Sequence, residues 1–186
     1  INDAGIHDSV TASVGDARSL AFASDAFDAV IMLGPLYHLT CSADRVTAWS
    51  EAVRVARPGA VVVAVGISRY SSLLDGIKRQ VLADPDFRQV VEADLVDGQH
   101  RNPHGSQRAE FFTTAYFHTP DELLGEAATA GLESVQLLAV EGPAWMMENV
   151  HDLDGHLYAA RAIESEPSLW GASMHLLVVG ITPPPP

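Results

Sequence analysis

The 186-residue sequence has one lysine, Lys78, and one cysteine, Cys41. Eleven Lys and Arg stand against 24 Asp and Glu, a formal net charge of -13. A phosphate-backbone partner needs clustered cations to displace its counterions, so no nucleic-acid partner is expected. A lone cysteine closes no intrachain disulfide and builds no thiolate metal site, which points to a reducing, cytoplasmic setting. Long apolar runs are missing too. The longest, "AVVVAVGI" at 60–67, falls far short of a membrane span, so no membrane partner is expected. The opening "INDAGIHDSV" offers neither the basic start nor the apolar stretch of a secretory signal. No Gly-x-Gly and no internal repeat occurs. What is present is 47% hydrophobic content over a length that suits one domain with one core.

The patterning alternates strand and helix. Val10–Gly15 reads as a short strand and Phe27–Leu33 as a second, largely apolar one. From Asp44 to Arg57, Val46, Trp49, Val53 and Ala56 recur three and four apart, one face of an amphipathic helix. The helix stops at "RPG". The valine-rich "AVVVAVGIS" that follows has the pattern of a parallel strand covered on both faces. Strand, helix and strand with short joints make a right-handed βαβ unit. Leu73 to Leu82 suggests one helix and Phe87 to Leu95 another, while the turn-rich segment 97–110 reads as an exposed loop or hinge. "FFTTAYF" resumes as an extended segment. Thr119 as N-cap, Pro120 at the first helical position, Glu122 closing a capping box and Gly131 as a stop mark the next helix. "ESVQLLAVEG" reads as a strand, Asn149–Glu166 as a helix and "SMHLLVVGI" as the last strand. The prolines at 183–186 form a solvated tail.

Three blocks carry a family resemblance: "GDA" at 15–17, "LGP" at 33–35 after "FDAVIM", and "RPGA" at 57–60 ahead of the valine-rich strand. With the helix and strand order around them, the sequence resembles a class I S-adenosylmethionine-dependent methyltransferase of the small-molecule type. The resemblance implies an α/β, Rossmann-like, doubly wound, mostly parallel sheet with an antiparallel last strand. It covers residues 1–182 as one partial domain, with 71–118 as a helical lid or insert. The family's glycine-rich loop and the acidic residue that holds the ribose have no counterpart, so the N-terminal strands of the fold are expected to be missing from these residues.

Open α/β sheets bind ligands at the carboxyl ends of their strands. The resemblance places the cofactor against Asp16, Ala17, Arg18, Leu33, Gly34 and Pro35. A carboxylate at Asp16 suits the adenine amine, and a backbone amide suits a ring nitrogen; alternatively, Asp16 simply holds its own turn. Gly34 allows close backbone approach, and Pro35 fixes the turn. His38 suits a general base, as the residue type does near neutral pH, or it is a packed or capping histidine. Tyr37, Tyr116, His118 and Trp145 are candidate acceptor contacts, each also readable as packing, His118 beside the N-terminal turn of its helix. Met146 and Met147 beside Trp145 suit an apolar pocket or lid. His151, Asp152, Asp154 and His156 match no metal-ligand spacing, and no metal is expected. His100 and His104 flank Pro103 and read as loop residues.

Three functions fit these residues. The first transfers the methyl of S-adenosylmethionine to an O, N or C atom of a small molecule, leaving S-adenosylhomocysteine, in a monomer or a homodimer. The second is a noncatalytic remnant or interaction module. The third, a nicotinamide-dependent oxidoreductase, demands a G-x-G-x-x-G that these residues lack.

Overall fold

The computed structural model describes residues 9–147 and 151–184. Its first strand, β1 (Phe27–Met32), leads through α1 (Pro35–His38) to α2 (Ser42–Val55) and then directly into the long strand β2 (Ala56–Ser68). Helices α3 (Ser71–Lys78) and α4 (Pro85–Asp97), the short strand β3 (Gln99–His100), a 3-10 turn (Gly105–Phe111) and β4 (Ala115–His118) follow. The chain closes with α5 (Pro120–Thr129), β5 (Glu133–Ala139), 3-10 turns at Gly142–Met146 and Pro167–Ala172 around α6 (Leu153–Ile163), and β6 (His175–Ile181).

β2 organises the sheet. One edge carries antiparallel β6 from Val61 to Ile67, and β6 in turn carries antiparallel β5. The other edge carries parallel β1 at Ala29–Met32 and, higher up, parallel β4 at Phe117 and His118. β1, β2, β4 and β5 therefore share one direction, with β6 and the two-residue β3 opposed, which is the mostly parallel sheet with an antiparallel last strand that the resemblance implied.

The core lies on one face. Val62 and Ala64 of β2, Leu176 and Val178 of β6, Trp49 and Ala52 of α2, and Leu123 and Ala127 of α5 are all buried together. The buried face of α2 is Arg45, Ala48, Trp49, Ala52 and Val55, one step around from the expected valine stripe, and Val46 is 46% exposed. Small alanines let the helix approach the sheet, and Arg45 takes an inward place because α5 offers it a carboxylate. On the opposite face Val63 and Val65 are half-buried and Ile31 is 64% exposed, so among the described residues only one side of β1 and β2 is sealed.

Several local expectations change. Val10–Gly15 forms no strand; Val14 is fully exposed, and among the described residues β1 pairs with β2 alone, which leaves no neighbouring strand for it to bond. The segment 97–110 is not an open loop: β3 and the 3-10 turn form within it, and His100 is buried. The extended stretch expected at 111–117 narrows to Ala115–His118, and the helix expected through Leu82 ends at Lys78. The last helix is α6, shorter than expected, and residues 148–150 of that span lie outside the described residues. The capping box forms as read: Thr119 Oγ1 accepts from the Glu122 amide at 3.2 Å, and Glu122 accepts from the Thr119 amide at 2.8 Å. At Gly98, φ is +72°, and a Cβ would stand 2.3 Å from the Phe117 carbonyl, so glycine alone lets α4 turn into β3 there.

Glu141 joins the end of β5 to the start of β6. It accepts from the Ser173 hydroxyl at 2.7 Å and the His175 amide at 3.0 Å, and it faces the His175 ring. Burial opposes its charge, but His175 and Ser173 outweigh it and hold the carboxyl down to about 2 from its ordinary 4.5. A lowered folded value stabilises in full above pH 4.5, and the contribution is lost as pH falls toward 2. Glu141→Gln is therefore expected to lose about 1–2 kcal/mol in denaturant unfolding at neutral pH, with the difference shrinking in acid. Equal stability of the two proteins at neutral pH would remove this clamp from the account.

Candidate active site

The segment Leu33–His38 leaves the carboxyl end of β1. Gly34 is buried at φ +142°, a conformation open to glycine and costly for a residue with a Cβ. Pro35 starts the four-residue α1, Leu36 is fully buried, and Leu33 and His38 are exposed. Tyr37 packs half-buried against Ile67, Ala115 and Phe117, its ring 4.7 Å from that of His38.

A groove of about 300 Å³ runs along the edge of β1 that faces away from β2. Ala17, Leu20 and Phe22 form one wall, Ala29–Met32 and Pro35 the floor, and Ala48 and Ala52 of α2 the other wall. Two of the six expected cofactor residues, Ala17 and Pro35, thus line one slot, with Leu33 and Gly34 next in the chain. Asp16 is otherwise engaged. Its carboxylate accepts from the Arg18 amide at 2.9 Å and from the Arg18 guanidinium at 2.7 Å, which holds it down to about 2. Its carbonyl accepts from Ser19, and Arg18 reaches on to Asp44 at 3.1 Å. Asp16 and Arg18 here build their own turn.

The apolar walls of this slot suit an adenine ring, and a Cβ built at Gly34 would stand 3.5 Å from the Tyr37 hydroxyl. Ala17, Pro35 and the Leu33–Gly34 backbone would hold the cofactor, whereas Asp16 would have to exchange Arg18 for the adenine amine. Among the described residues no glycine-rich turn faces the slot.

A second cavity, of about 290 Å³, lies on the other side of β4 and the end of β2. Ile67, Phe87, Phe111, Phe117 and Met174 are its apolar walls, with Asp75, Glu110 and His175 also lining it. Ile67 and Phe117 are shared: they carry Tyr37 and line the cavity. None of the four expected acceptor residues lines either space. In β4, alternate side chains point to opposite faces. Phe117 faces the cavity, while Tyr116 and His118 turn toward α2 and α5, so neither is placed to touch an acceptor there. Trp145 donates to the Ala172 carbonyl at 2.9 Å and lies 5.4 Å below Lys78, a packing role; Met147 is exposed. Asp152 caps α6 by accepting from Gly155, and His156 bonds the Asp152 carbonyl, so these two are spent on the helix start.

The turned-away side chains make a buried polar cluster. Arg45 is 3% exposed; it pairs with Glu126 at 2.7 Å and donates to the Leu39 and Thr40 carbonyls at 3.0 and 3.1 Å. Its guanidinium lies 3.7 Å over the Tyr116 ring. Burial raises the Tyr116 hydroxyl, with the charge of Glu122 adding to it. Burial pushes His118 down, outweighing the carboxylate of Glu126 at 3.5 Å. Arg45 thereby fastens the chain just after Leu33–His38 to α2 and α5. Sequence reading missed Arg45, whose inward place shows only once Glu126 is brought against it.

Comparisons with known proteins bear on this geometry. Residues 2–64 match a family model described as a methyltransferase domain. No curated protein matches the chain in sequence. Among solved structures, it is similar to an S-adenosylmethionine-dependent methyltransferase from Archaeoglobus fulgidus, with TM-score 0.54, 12% identity, and coverage of 94% of this chain and 69% of the other. It is similar to one from Mesorhizobium loti, with TM-score 0.51, 14% identity, and 90% and 67% coverage. The cyclase SpnF shares the fold at TM-score 0.52 and 16% identity, with 99% and 60% coverage. The chain spans 60% to 69% of the length of these three structures.

If Arg45 anchors this region, Arg45→Met leaves Glu126 buried without its cation and is expected to cost about 3 kcal/mol in denaturant unfolding. A loss under about 1 kcal/mol would mean that Trp49, which also donates to Glu126, suffices. The sheet order, the matched first third and the structural neighbours agree: the chain carries the class I S-adenosylmethionine-dependent methyltransferase fold.

Proposed function

We propose that the chain transfers the methyl group of S-adenosylmethionine to an O, N or C atom of a small molecule. The observation that carries the proposal is the Leu33–His38 segment, with its positive-φ Gly34, set at the carboxyl end of β1 between an apolar slot and an apolar cavity. The cofactor, when bound, supplies a methyl carbon already activated by its sulfonium. The chain's part is to bind, to orient and to exclude water. Ala17, Pro35 and the Leu33–Gly34 backbone hold one reactant along β1. Ile67 and Phe117 form one wall of the space that takes the acceptor. The aromatic lining favours a flat, largely apolar acceptor of modest size. His38, exposed beside Tyr37, takes the proton from an acceptor hydroxyl or amine onto a ring nitrogen. The formal charge of -13 and the single cysteine favour a cytoplasmic protein without a nucleic-acid partner.

One observation favours a second reading, a noncatalytic module on this fold: Asp16 is saturated by Arg18 and faces no ligand site of its own.

Calorimetric titration with S-adenosylhomocysteine separates the two. Micromolar binding supports the transferase, and no binding by the folded chain supports the module. Gly34→Val forces a β-branched residue to φ +142° and is expected to weaken that binding about tenfold or more; unchanged affinity would take this turn out of the site. His38→Ala is expected to slow turnover about 100-fold with the affinity intact, as loss of a general base does. Loss of both together would assign His38 a structural part.

A further inference from the structure

His100 is surrounded by acceptors. Its Nδ1 lies 2.8 Å from Asp94 Oδ2, and its Nε2 lies 2.7 Å from the carbonyl oxygen of Phe111. The Ser72 hydroxyl donates to the same Asp94 oxygen at 2.6 Å. A carbonyl only accepts, so Nε2 carries a hydrogen. A proton must also sit between Nδ1 and Oδ2, since otherwise two lone pairs would face each other at 2.8 Å between side chains only 2% and 1% exposed. Asp94 Oδ1 is buried without a partner, which further disfavours a bare carboxylate. The pair therefore holds two protons, whether as imidazolium and carboxylate or as imidazole and carboxylic acid.

We propose that this shared proton latches the wall of the second cavity, making His100 a positioning residue for the pocket; the pocket's use for an acceptor rests on the function proposed above. The contact to Phe111 is the fastening. Phe111 ends the Gly105–Phe111 turn, and Ala109, Glu110, Phe111 and Phe112 of that stretch line the cavity. Phe111 packs on Phe87, and the His100 ring stacks on Phe117 at 4.6 Å and 12°. If the shared proton is lost, one N–H remains for two acceptors. The charged Asp94 keeps it, and the Phe111 carbonyl is released with the wall behind it.

Among the described residues Asp94 is the one titratable group at hydrogen-bond distance from the His100 ring. The other titratable groups around the cavity have partners of their own: Asp75 with Arg79, Glu110 with Arg108 and His175 with Glu141. His104, at the edge of Phe111, faces Asp86 at 3.4 Å. Arg69, beside Gly98, is held by Glu122 and the Phe117 carbonyl.

The test is amide hydrogen exchange of residues 105–112, corrected for intrinsic rates, in the parent and two variants at one pH. In His100→Phe the Phe111 carbonyl loses its donor, and protection there is expected to fall about tenfold while that of β2 holds. In Asp94→Asn the amide nitrogen donates to Nδ1 and leaves the Nε2 hydrogen on the Phe111 carbonyl, so the wall stays protected. Unchanged wall protection in His100→Phe, or a loss in Asp94→Asn, overturns the latch. No methyl transfer is measured, so a failure to bind S-adenosylhomocysteine leaves this result standing, and the reverse holds too.

Discussion

A strand in the middle of a sheet must satisfy its amide and carbonyl groups on both edges, and in this chain β2 does so with three different neighbours. β6 takes one edge along seven residues, and β1 and β4 share the other. That sharing places the Leu33–His38 turn. Because β1 pairs only as far as Ala64 and β4 begins at Ile67, the chain leaving β1 turns out at the point where β4 enters. Leu33–His38 is thus wedged between the slot beside β1 and the cavity behind Ile67 and Phe117. Lengthening β1 or removing β4 would close or dissolve that step.

Two buried polar groups then fix what the sheet alone leaves free. On the face covered by α2 and α5, Arg45 spans Glu126 and the carbonyls of Leu39 and Thr40, so the end of the loop moves only with both helices. On the other face, His100 and Asp94 tie α4, β3 and the 3-10 turn into a wall. A buried charge without its partner is costly, so each arrangement is closer to all-or-none than apolar packing is. The segment 71–118 is therefore an ordered part of the fold, with two of its side chains, Tyr116 and His118, committed to the helix side and Phe117 to the cavity.

Much of the architecture was legible in the sequence, and the reason lies in local chemistry. Thr119 and Glu122 announce a helix start within four residues, and the run at 60–68 leaves little but a buried strand. The long-range choices were hidden. Alternation in "AYFH" shows that Phe117 opposes its neighbours without showing which face holds a cavity. Arg45 looks like a surface charge until Glu126, 81 positions on, is brought against it. His100 sits in a turn-rich stretch, and only the pairing of β3 with β4 carries it inside. Val10–Gly15 has strand composition and no strand partner, which composition alone does not reveal. Of the expected site, Ala17 and Pro35 line the slot, whereas Asp16 pairs with Arg18.

The proposed function puts the cofactor along the edge of β1 that faces away from β2 and over the Leu33–Gly34 turn. The most direct measurement is the hydrogen-exchange footprint of S-adenosylhomocysteine on the folded chain. The account requires new protection confined to residues 16–20 and 29–38. Protection centred on another part of the molecule, or none at concentrations well above micromolar, would contradict it.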